Sequence, residues 1–427
     1  MIYLDYAADT PADEAVLKVF LETQREFFAN PNSSHALGAA AAERLKTEIE
    51  KIKSFFEGAE DYEFIPTATA SEANNLALRG IAESYKENGK HIISTYLEHP
   101  SVGGALTYLQ GRGYEVELVQ VKKDGKIDLE HLESLMRKDT VLVSVCAVDS
   151  ELGTVQPIGE IAKIVSKYPL CRFHTDAAQA VGRLSEYKDL THKDKDGDKD
   201  YGNGKFHTDA AQAVGRLSEY KDLTHKDKDG DKGGGKDKDV KFSLQGISCL
   251  SFAAHKFYGL NGAAFLVRHK KTVLTPLIHG GSNASLYRGG TPSLPLAASA
   301  REAIERAYSE AETRYRSVLF LNVFLRDELS KIKRIKINSP KDASPYILNI
   351  SVDGIKGEDT KDALGKRGIC VSVKSACSVK NVPSKAVYAV TGDKKRAASS
   401  FRVSLSHLTA RSEAEEFIRA VREICGE

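Results

Sequence analysis

Apolar positions in the first two thirds of the chain switch repeatedly between a three-to-four spacing and short unbroken runs. The three-to-four spacing predicts amphipathic helices over residues 11–29 and 36–57, the second rich in Ala, Glu and Lys. A short strand around Tyr62–Ile65 leads to a helix from Ser71 to about Lys86. Apolar runs predict further strands at His91–Thr95, Glu115–Val119, Val141–Val148, Leu170–Thr175 and Gly246–Phe252. Helices over 101–111, 128–137 and 157–167 separate the first four of these. This alternation predicts an α/β fold: a mostly parallel sheet flanked by helices, with ligands at the carboxyl ends of its strands. Beyond Pro292 the rhythm changes. One long helix over about 293–331 is followed by strands near Ile335–Ile337 and Ile347–Val352, a helix over 358–366, a strand near Cys370–Val373 and a helix over 411–424. The expected organisation is therefore a large domain over 14–292 and a smaller α+β C-terminal domain over 293–427, with residues 1–13 packing on the small domain.

An exact duplication interrupts the pattern. Residues 173–199 recur unchanged at 206–232, and each copy ends in Lys-Asp-Lys-Asp-Gly-Asp-Lys. Two copies with unrelated flanks do not make a repeat array. The charged, glycine-rich tails lack the apolar surface to fold, which predicts a mobile surface excursion over about 186–239. Asp194, Asp196 and Asp198 alternate as in a calcium loop, but Lys199 and Lys205 stand where a glycine and a glutamate are required, so a solvated loop is the better reading. Copy one follows the apolar lead-in Tyr168-Pro169-Leu170-Cys171-Arg172, whereas copy two follows the turn-rich Asp200–Lys205. The first copy, with Asp176 and Gln179, is therefore expected in the sheet, and Asp209 and Gln212 outside it.

Composition narrows the class. With 61 basic and 59 acidic residues the net charge is +2, which gives no footprint for nucleic acid or a membrane surface. Met1–Tyr6 has no basic stretch followed by an apolar one, and no run reaches membrane-spanning length. The six cysteines are scattered without paired spacing, which predicts free thiols in a cytoplasmic protein and no metal site.

Several strand ends carry chemistry. Lys256, in Ser251-Phe252-Ala253-Ala254-His255-Lys256, follows a buried run, where a desolvated amine becomes a nucleophile toward carbonyls. Such a lysine is what an enzyme using pyridoxal phosphate requires, since it holds the cofactor aldehyde as a Schiff base. Thr69-Ala70-Ser71-Glu72-Ala73-Asn74-Asn75 lies between a strand and a helix, where free amides and hydroxyls receive a phosphate, although an ordinary Ser71 N-cap reads equally well. His99 follows the strand at 91–95, where a histidine can stack on an aromatic cofactor and move protons, although a lone histidine is more often structural. Asp176 ends the strand of copy one, where a carboxylate would keep a pyridine nitrogen protonated; capping the next helix is the plainer alternative. Cys377 sits in a polar, small-residue loop with Lys374 and Lys380 nearby, which favours a thiolate, although on local evidence an inert cysteine is the better reading. Arg402 lies on an apolar strand, where a buried guanidinium needs a carboxylate partner.

In this order the motifs resemble the cysteine desulfurases of the class V aminotransferase family, which are fold type I pyridoxal-phosphate enzymes. The resemblance runs from Tyr3-Leu4-Asp5-Tyr6-Ala7-Ala8 to the helix after Arg402. It implies that Lys256 binds the cofactor covalently, His99 stacks on its ring and handles protons, Asp176 pairs with the ring nitrogen and Gln179 reaches the ring hydroxyl. It implies a phosphate site of Ala70, Ser71 and His255, with Thr291 reaching the neighbouring subunit's phosphate in a homodimer. Arg402, helped by Asn30, would bind the carboxylate of L-cysteine, and Cys377 would take its sulfur as a persulfide for a sulfur-acceptor protein. L-Alanine would be the other product, and the sulfur would serve iron–sulfur cluster or other sulfur-compound biosynthesis. The chain departs from the pattern at Ala253, Ser150, Thr69 and Lys374, where a hydroxyl residue, asparagine, glycine and glycine are usual. The alternatives are another reaction of the same family, selenocysteine lyase or aminotransferase, and a scaffold that has lost the cofactor.

Overall fold

A computed structural model describes residues 1–184, 241–281, 285–374 and 382–427. The chain opens with β1 (Ile2–Tyr3), α1 (Glu14–Glu26), α2 (Ala36–Lys53), β2 (Phe56–Glu57), β3 (Tyr62–Thr67) and α3 (Ala70–Ser84). Then come β4 (His91–Thr95), α4 (Pro100–Gln110), β5 (Glu115–Val119), α5 (Leu129–Leu135), β6 (Thr140–Ser144), α6 (Ile158–Ser166) and β7 (Arg172–Asp176). After the excursion follow β8 (Phe242–Ser243), β9 (Cys249–Ala253), β10 (Ala264–His269), α7 (Leu294–Ser309) and α8 (Ala311–Ser330). The C-terminal part holds β11 (Ile335–Ile337), β12 (Ile347–Val352), α9 (Gly357–Gly365), β13 (Ile369–Cys370), α10 (Lys385–Thr391), α11 (Lys394–Ala398), β14 (Ser400–Ser404) and α12 (Arg411–Cys425).

Seven strands form the large sheet in the order β3-β10-β9-β7-β6-β4-β5. The pairs β9–β7, β7–β6, β6–β4 and β4–β5 are parallel, while β10 runs antiparallel to both β9 and β3. Two reversals restore direction, so β3 also runs with the parallel strands. The carboxyl ends of β3, β4, β6, β7 and β9 therefore meet at one edge. Every residue of β4, β6 and β9 is buried, as expected for strands covered on both faces. One face packs Phe56, Phe64, Phe252 and Phe265, with Phe252 and Phe265 stacked at 5.3 Å. The other receives Leu76, Ile81 and Leu106 of α3 and α4.

The smaller C-terminal α+β part has its own sheet, β11-β12-β14, antiparallel throughout. Its core takes Phe401 and Leu348 from the strands and Ala414, Phe417, Ile418 and Val421 from α12, a spacing that puts one apolar stripe against the sheet. Leu4 and Ala7 belong to this same core, and β1 pairs with β13.

Most expected elements appear, but α10 and α11 were not expected, β2 takes the end of the helix expected over 36–57, and other elements differ as well. The long helix breaks at Glu310, whose backbone (φ −106°, ψ 8°) ends α7 and opens α8. No glycine or proline marks that break, so helical periodicity runs straight through it. The strand expected over 141–148 ends at Ser144. The antiparallel β10 gave no alternating pattern because it is buried almost throughout. The start of copy one of the duplication forms β7, and copy two lies outside the described residues, as does the whole of the segment over 186–239 expected as a surface excursion.

The turn after β7 depends on Gly182, at φ +70°, where an added Cβ would lie 2.8 Å from Phe257 Cγ and 3.1 Å from Ala307 Cβ. Gly182→Ala is expected to lower stability by about 1–3 kcal/mol through overpacking and a left-handed backbone. Urea unfolding measures this; an unchanged midpoint would show that Phe257 yields freely.

Candidate functional site

Four strand ends bring the candidate residues together. β9 ends at Ala253 and passes through a short helical turn, Ala254–Lys256, that delivers His255 and Lys256. β7 ends on Asp176, β4 leads to His99 at the N-cap of α4, and β6 leads to Ser150.

Lys256 lies half-buried, and its Nζ donates to the carbonyl oxygens of Ala7 at 3.0 Å and Ala8 at 2.6 Å. Burial lowers its proton affinity, Arg183 and Arg402 lower it further, and Asp9 and Asp176 oppose them, leaving the ammonium at about 8. An amine that titrates there supplies free nucleophile near neutral pH. The N-terminal segment is fixed in turn by Thr10, whose Oγ1 donates to the His255 carbonyl at 2.8 Å. Burial and the neighbouring Lys256 pull the His255 imidazole down to about 4.

Asp176 is buried and accepts on both oxygens, from Asn74 Nδ2 at 2.8 Å and from the amide of Ala178 at 3.0 Å. It therefore braces the turn after β7, and it still acts electrostatically on Lys256 and His99. His99 Nδ1 accepts from the backbone N–H of Ser101 at 3.2 Å. A backbone amide can only donate, so the neutral ring carries its proton on Nε2. Burial lowers the affinity of that ring for a second proton; Asp176 opposes this, and Lys256 and Arg402 reinforce it.

Arg402 is 1 % exposed on β14 and has the carboxylate partner that its burial requires. Its Nη2 donates to Asp5 Oδ1 at 2.8 Å, its Nη1 to the Ser150 carbonyl at 2.8 Å, and its buried Nε has no partner among the described residues. Ser372 donates to the other oxygen of Asp5 at 2.7 Å. Asp5 was not singled out from the sequence; its only signal was a carboxylate between apolar Leu4 and Tyr6. Arg183 was also missed. It is buried, and its guanidinium contacts the carbonyl of Lys256 and the side chain of Gln179. Gln179 donates to the Ala7 carbonyl at 2.9 Å.

A group of enclosed carboxyls lies behind Arg402. Glu98 Oε1 accepts from Thr95 Oγ1 and the amide of Cys146, both at 2.9 Å, while its Oε2 is sealed from solvent without a partner among the described residues. Burial pushes Glu98 up to about 8 and Asp149 up to about 7.

Other candidates are placed less centrally. The N-cap of α3 is Thr69, whose hydroxyl accepts from the Glu72 amide at 3.1 Å, so Ser71 is not the cap but an exposed residue of the first turn. Ala70 and Ser71 there carry amides without intrahelical acceptors. Glu72 is bound by the Ala68 amide at 2.8 Å and Arg288 at 2.9 Å, which ties down its charge. Asn30 donates to Thr291 at 3.4 Å in an exposed contact. The Arg402 hydrogen bonds given above do not include Asn30. Lys374 Nζ donates to the Val382 carbonyl at 2.6 Å, and Ala253 is fully buried. Cys377 lies outside the described residues. The other five cysteines are free thiols.

An amine nucleophile beside a braced carboxylate, at the carboxyl edge of a mostly parallel sheet, defines the class of fold type I pyridoxal-phosphate enzymes. The family model for aminotransferase class-V matches residues 2–189 and 236–417, and the chain belongs to that family, in its cysteine desulfurase and NifS-like group. The gap between the two matched stretches contains copy two. Among relatives, cysteine desulfurase IscS of Dictyoglomus turgidum is 30% identical over 415 residues, covering 96% of this chain and 91% of its own. The mitochondrial cysteine desulfurase of Candida albicans is 32% identical over 432 residues, covering 99% and 76%. A solved NifS-like protein superposes with a TM-score of 0.79 at 27% identity, covering 100% of this chain and 99% of its own. SspA, solved in complex with cysteine, gives 0.71 at 25% identity, covering 96% and 100%.

The donor set fits pyridoxal phosphate. Lys256 offers a partly exposed amine, Asp176 a buried carboxylate, Gln179 an amide and α3 the free amides of its first turn. Buried Asn74 Oδ1 and Arg402 Nε both lack partners among the described residues.

Glu98 supplies a pH test. Its carboxyl holds a proton in the folded chain up to about 8 but releases it near the ordinary 4.5 when unfolded. Between those values the folded state binds more protons, so stability falls as pH rises. Glu98→Gln, which mimics the protonated form, should remove this loss. Urea midpoints across that window that fall equally in both proteins would assign the loss elsewhere.

Proposed function

We propose that the protein is a cysteine desulfurase that uses pyridoxal phosphate to convert L-cysteine to L-alanine, leaving the sulfur as a persulfide on Cys377. What carries this reading is Lys256: a half-buried amine whose proton affinity has fallen to about 8, set between Asp176 and Arg402 in a chain of this family. The cofactor, held by Lys256, would act as an electron sink for the bonds around the substrate Cα. Asp176 would keep the ring nitrogen protonated, with Asn74 and the Ala178 amide holding its carboxylate in place. Gln179 would donate to the ring hydroxyl, and Ala70, Ser71 and His255 would receive the phosphate, with Thr291 reaching that of a partner subunit in a homodimer.

Arg402 would receive the substrate carboxylate, with help from Asn30. Its fork is preorganised by Asp5 and the Ser150 carbonyl, and its free Nε remains for the ligand. His99, neutral with its proton on Nε2, would move protons at the reacting carbons. In the transfer itself the Cβ–Sγ bond of cysteine breaks, a sulfur–sulfur bond forms on the Cys377 thiolate and the former Cβ takes up a proton. The persulfide would pass to a sulfur-acceptor protein for iron–sulfur cluster or other sulfur-compound assembly in the cytoplasm. Among the described residues no helix is long and apolar enough to cross a membrane.

The test is incubation with pyridoxal phosphate and L-cysteine, with alanine quantified and the Cys377 peptide examined by mass spectrometry. Alanine formed in step with a Cys377 persulfide is expected, and Cys377→Ser should lose both. Undiminished sulfide release by Cys377→Ser would point to a selenocysteine-lyase-like reaction instead. A protein that acquires no cofactor absorbance band would favour a scaffold role.

A further inference from the structure

Arg183 is buried beside the Lys256 turn, and the mechanism above does not use it. It lies 5 % exposed directly after Gly182, and its guanidinium spends all three nitrogens on neutral oxygens. Nε donates to the main-chain carbonyl of Lys256 at 2.7 Å, Nη1 to Gln179 Oε1 at 2.6 Å and Nη2 to the Tyr6 carbonyl at 2.6 Å. The ring of Tyr346 lies 5.6 Å from the guanidinium carbon. No carboxylate among the described residues pairs with it. Arginine only donates, so the bond to Gln179 identifies that side chain's oxygen and turns its NH2 toward Ala7, away from Arg183.

Buried arginines ordinarily meet a carboxylate, because an isolated charge is costly to desolvate. Here carbonyl dipoles hold the cation without cancelling it, and the full positive charge is left facing the Lys256 turn. We propose that Arg183 is a positioning residue of this site, a deliberately unpaired cation that biases Lys256 toward its free amine. The proposal rests on Lys256 being the reactive lysine of the proposed function. The other groups that act on its ammonium are Arg402 on β14, which works in the same direction, and Asp9 and Asp176, which oppose it. His255 beside it is neutral near pH 7, since burial holds its ring at about 4, and burial likewise lowers His99 across the site. The carbonyls of Ala7 and Ala8 accept from the ammonium and favour it. Arg183 and Arg402 are thus the cations that oppose protonation, and Arg402 alone is balanced by a direct carboxylate contact.

The test is competitive acetylation of the full chain, first freed of any bound cofactor with hydroxylamine, with acetic anhydride across a pH series, quantified by mass spectrometry at the peptide containing Lys256. The wild-type labelling midpoint is expected at about 8. Arg183→Gln, which keeps a donor but loses the charge, should move it upward by about one pH unit. Arg183→Lys, which keeps the charge, should hold the wild-type midpoint, a rescue that a purely structural role would not give. A wild-type midpoint at the ordinary lysine value of 10.5 overturns the proposal whichever variants fold. So does an Arg183→Gln midpoint equal to wild type, or an Arg183→Lys midpoint displaced as far as that of Arg183→Gln. Acetylation needs no bound cofactor. A chain that labels as expected yet takes no pyridoxal phosphate would therefore defeat the proposed function and leave this inference intact.

Discussion

Three basic side chains, Arg183, Lys256 and Arg402, are withdrawn from water within electrostatic reach of one another, and each must be solvated by protein instead. Carboxylates do only part of this. Asp5 meets Arg402, and Asp176 and Asp9 act at a distance on Lys256. The rest falls to main-chain carbonyls of the first residues: Tyr6 for Arg183, and Ala7 and Ala8 for Lys256. A turn can serve this way because its carbonyls at Tyr6–Ala8 are not spent on a ladder or a helix. Once Tyr6–Ala8 turn inward to the cations, the flanking residues have little freedom. Leu4 enters the C-terminal core, Asp5 reaches Arg402 and Thr10 caps the carbonyl of His255.

The same enclosure sorts the acids. Asp176 receives a donor on each oxygen and lies close enough to act on Lys256. Glu98 receives donors on one oxygen only, and its other oxygen is sealed, so desolvation dominates and the group holds its proton into the neutral range. The two carboxyls thus differ in donor supply and in access to water.

Much of this was readable from the chain. The largely apolar run before Ala254-His255-Lys256 marks a central strand, and the same logic places Asp176 and His99 at strand ends. Copy one enters the sheet behind an apolar lead-in in which Cys171 is buried, whereas the lead-in of copy two, Asp200–Lys205, is turn-rich in sequence. Arg183 escaped because nothing in Ala-Val-Gly-Arg-Leu distinguishes a buried arginine from one snorkelling to solvent. Its burial is set by carbonyls at Tyr6 and Lys256, far away in sequence. Asp5 escaped for the same reason, since its partner lies 397 positions away. Sequence leaves Ser71 open as the cap because Thr69 and Ser71 both suit an N-cap, and only backbone geometry gives the position to Thr69.

The pairing of the two chain ends also bears on how the molecule comes into being. Ala7 donates to Ser404 at 2.9 Å across 397 positions, and the amide of Ser404 in turn donates to the carbonyl of Leu4. Contacts of such high order form late, because closing the loop costs entropy before the contact returns anything. During synthesis the large sheet has all its strands well before Ser404 leaves the ribosome, whereas the segment that solvates Lys256 and Arg183 has no C-terminal partner until then. Arg402 on β14 is the last of the charged groups acting on Lys256 to be synthesised, and a chain stalled short of β14 would carry the sheet without that cation's effect on the amine.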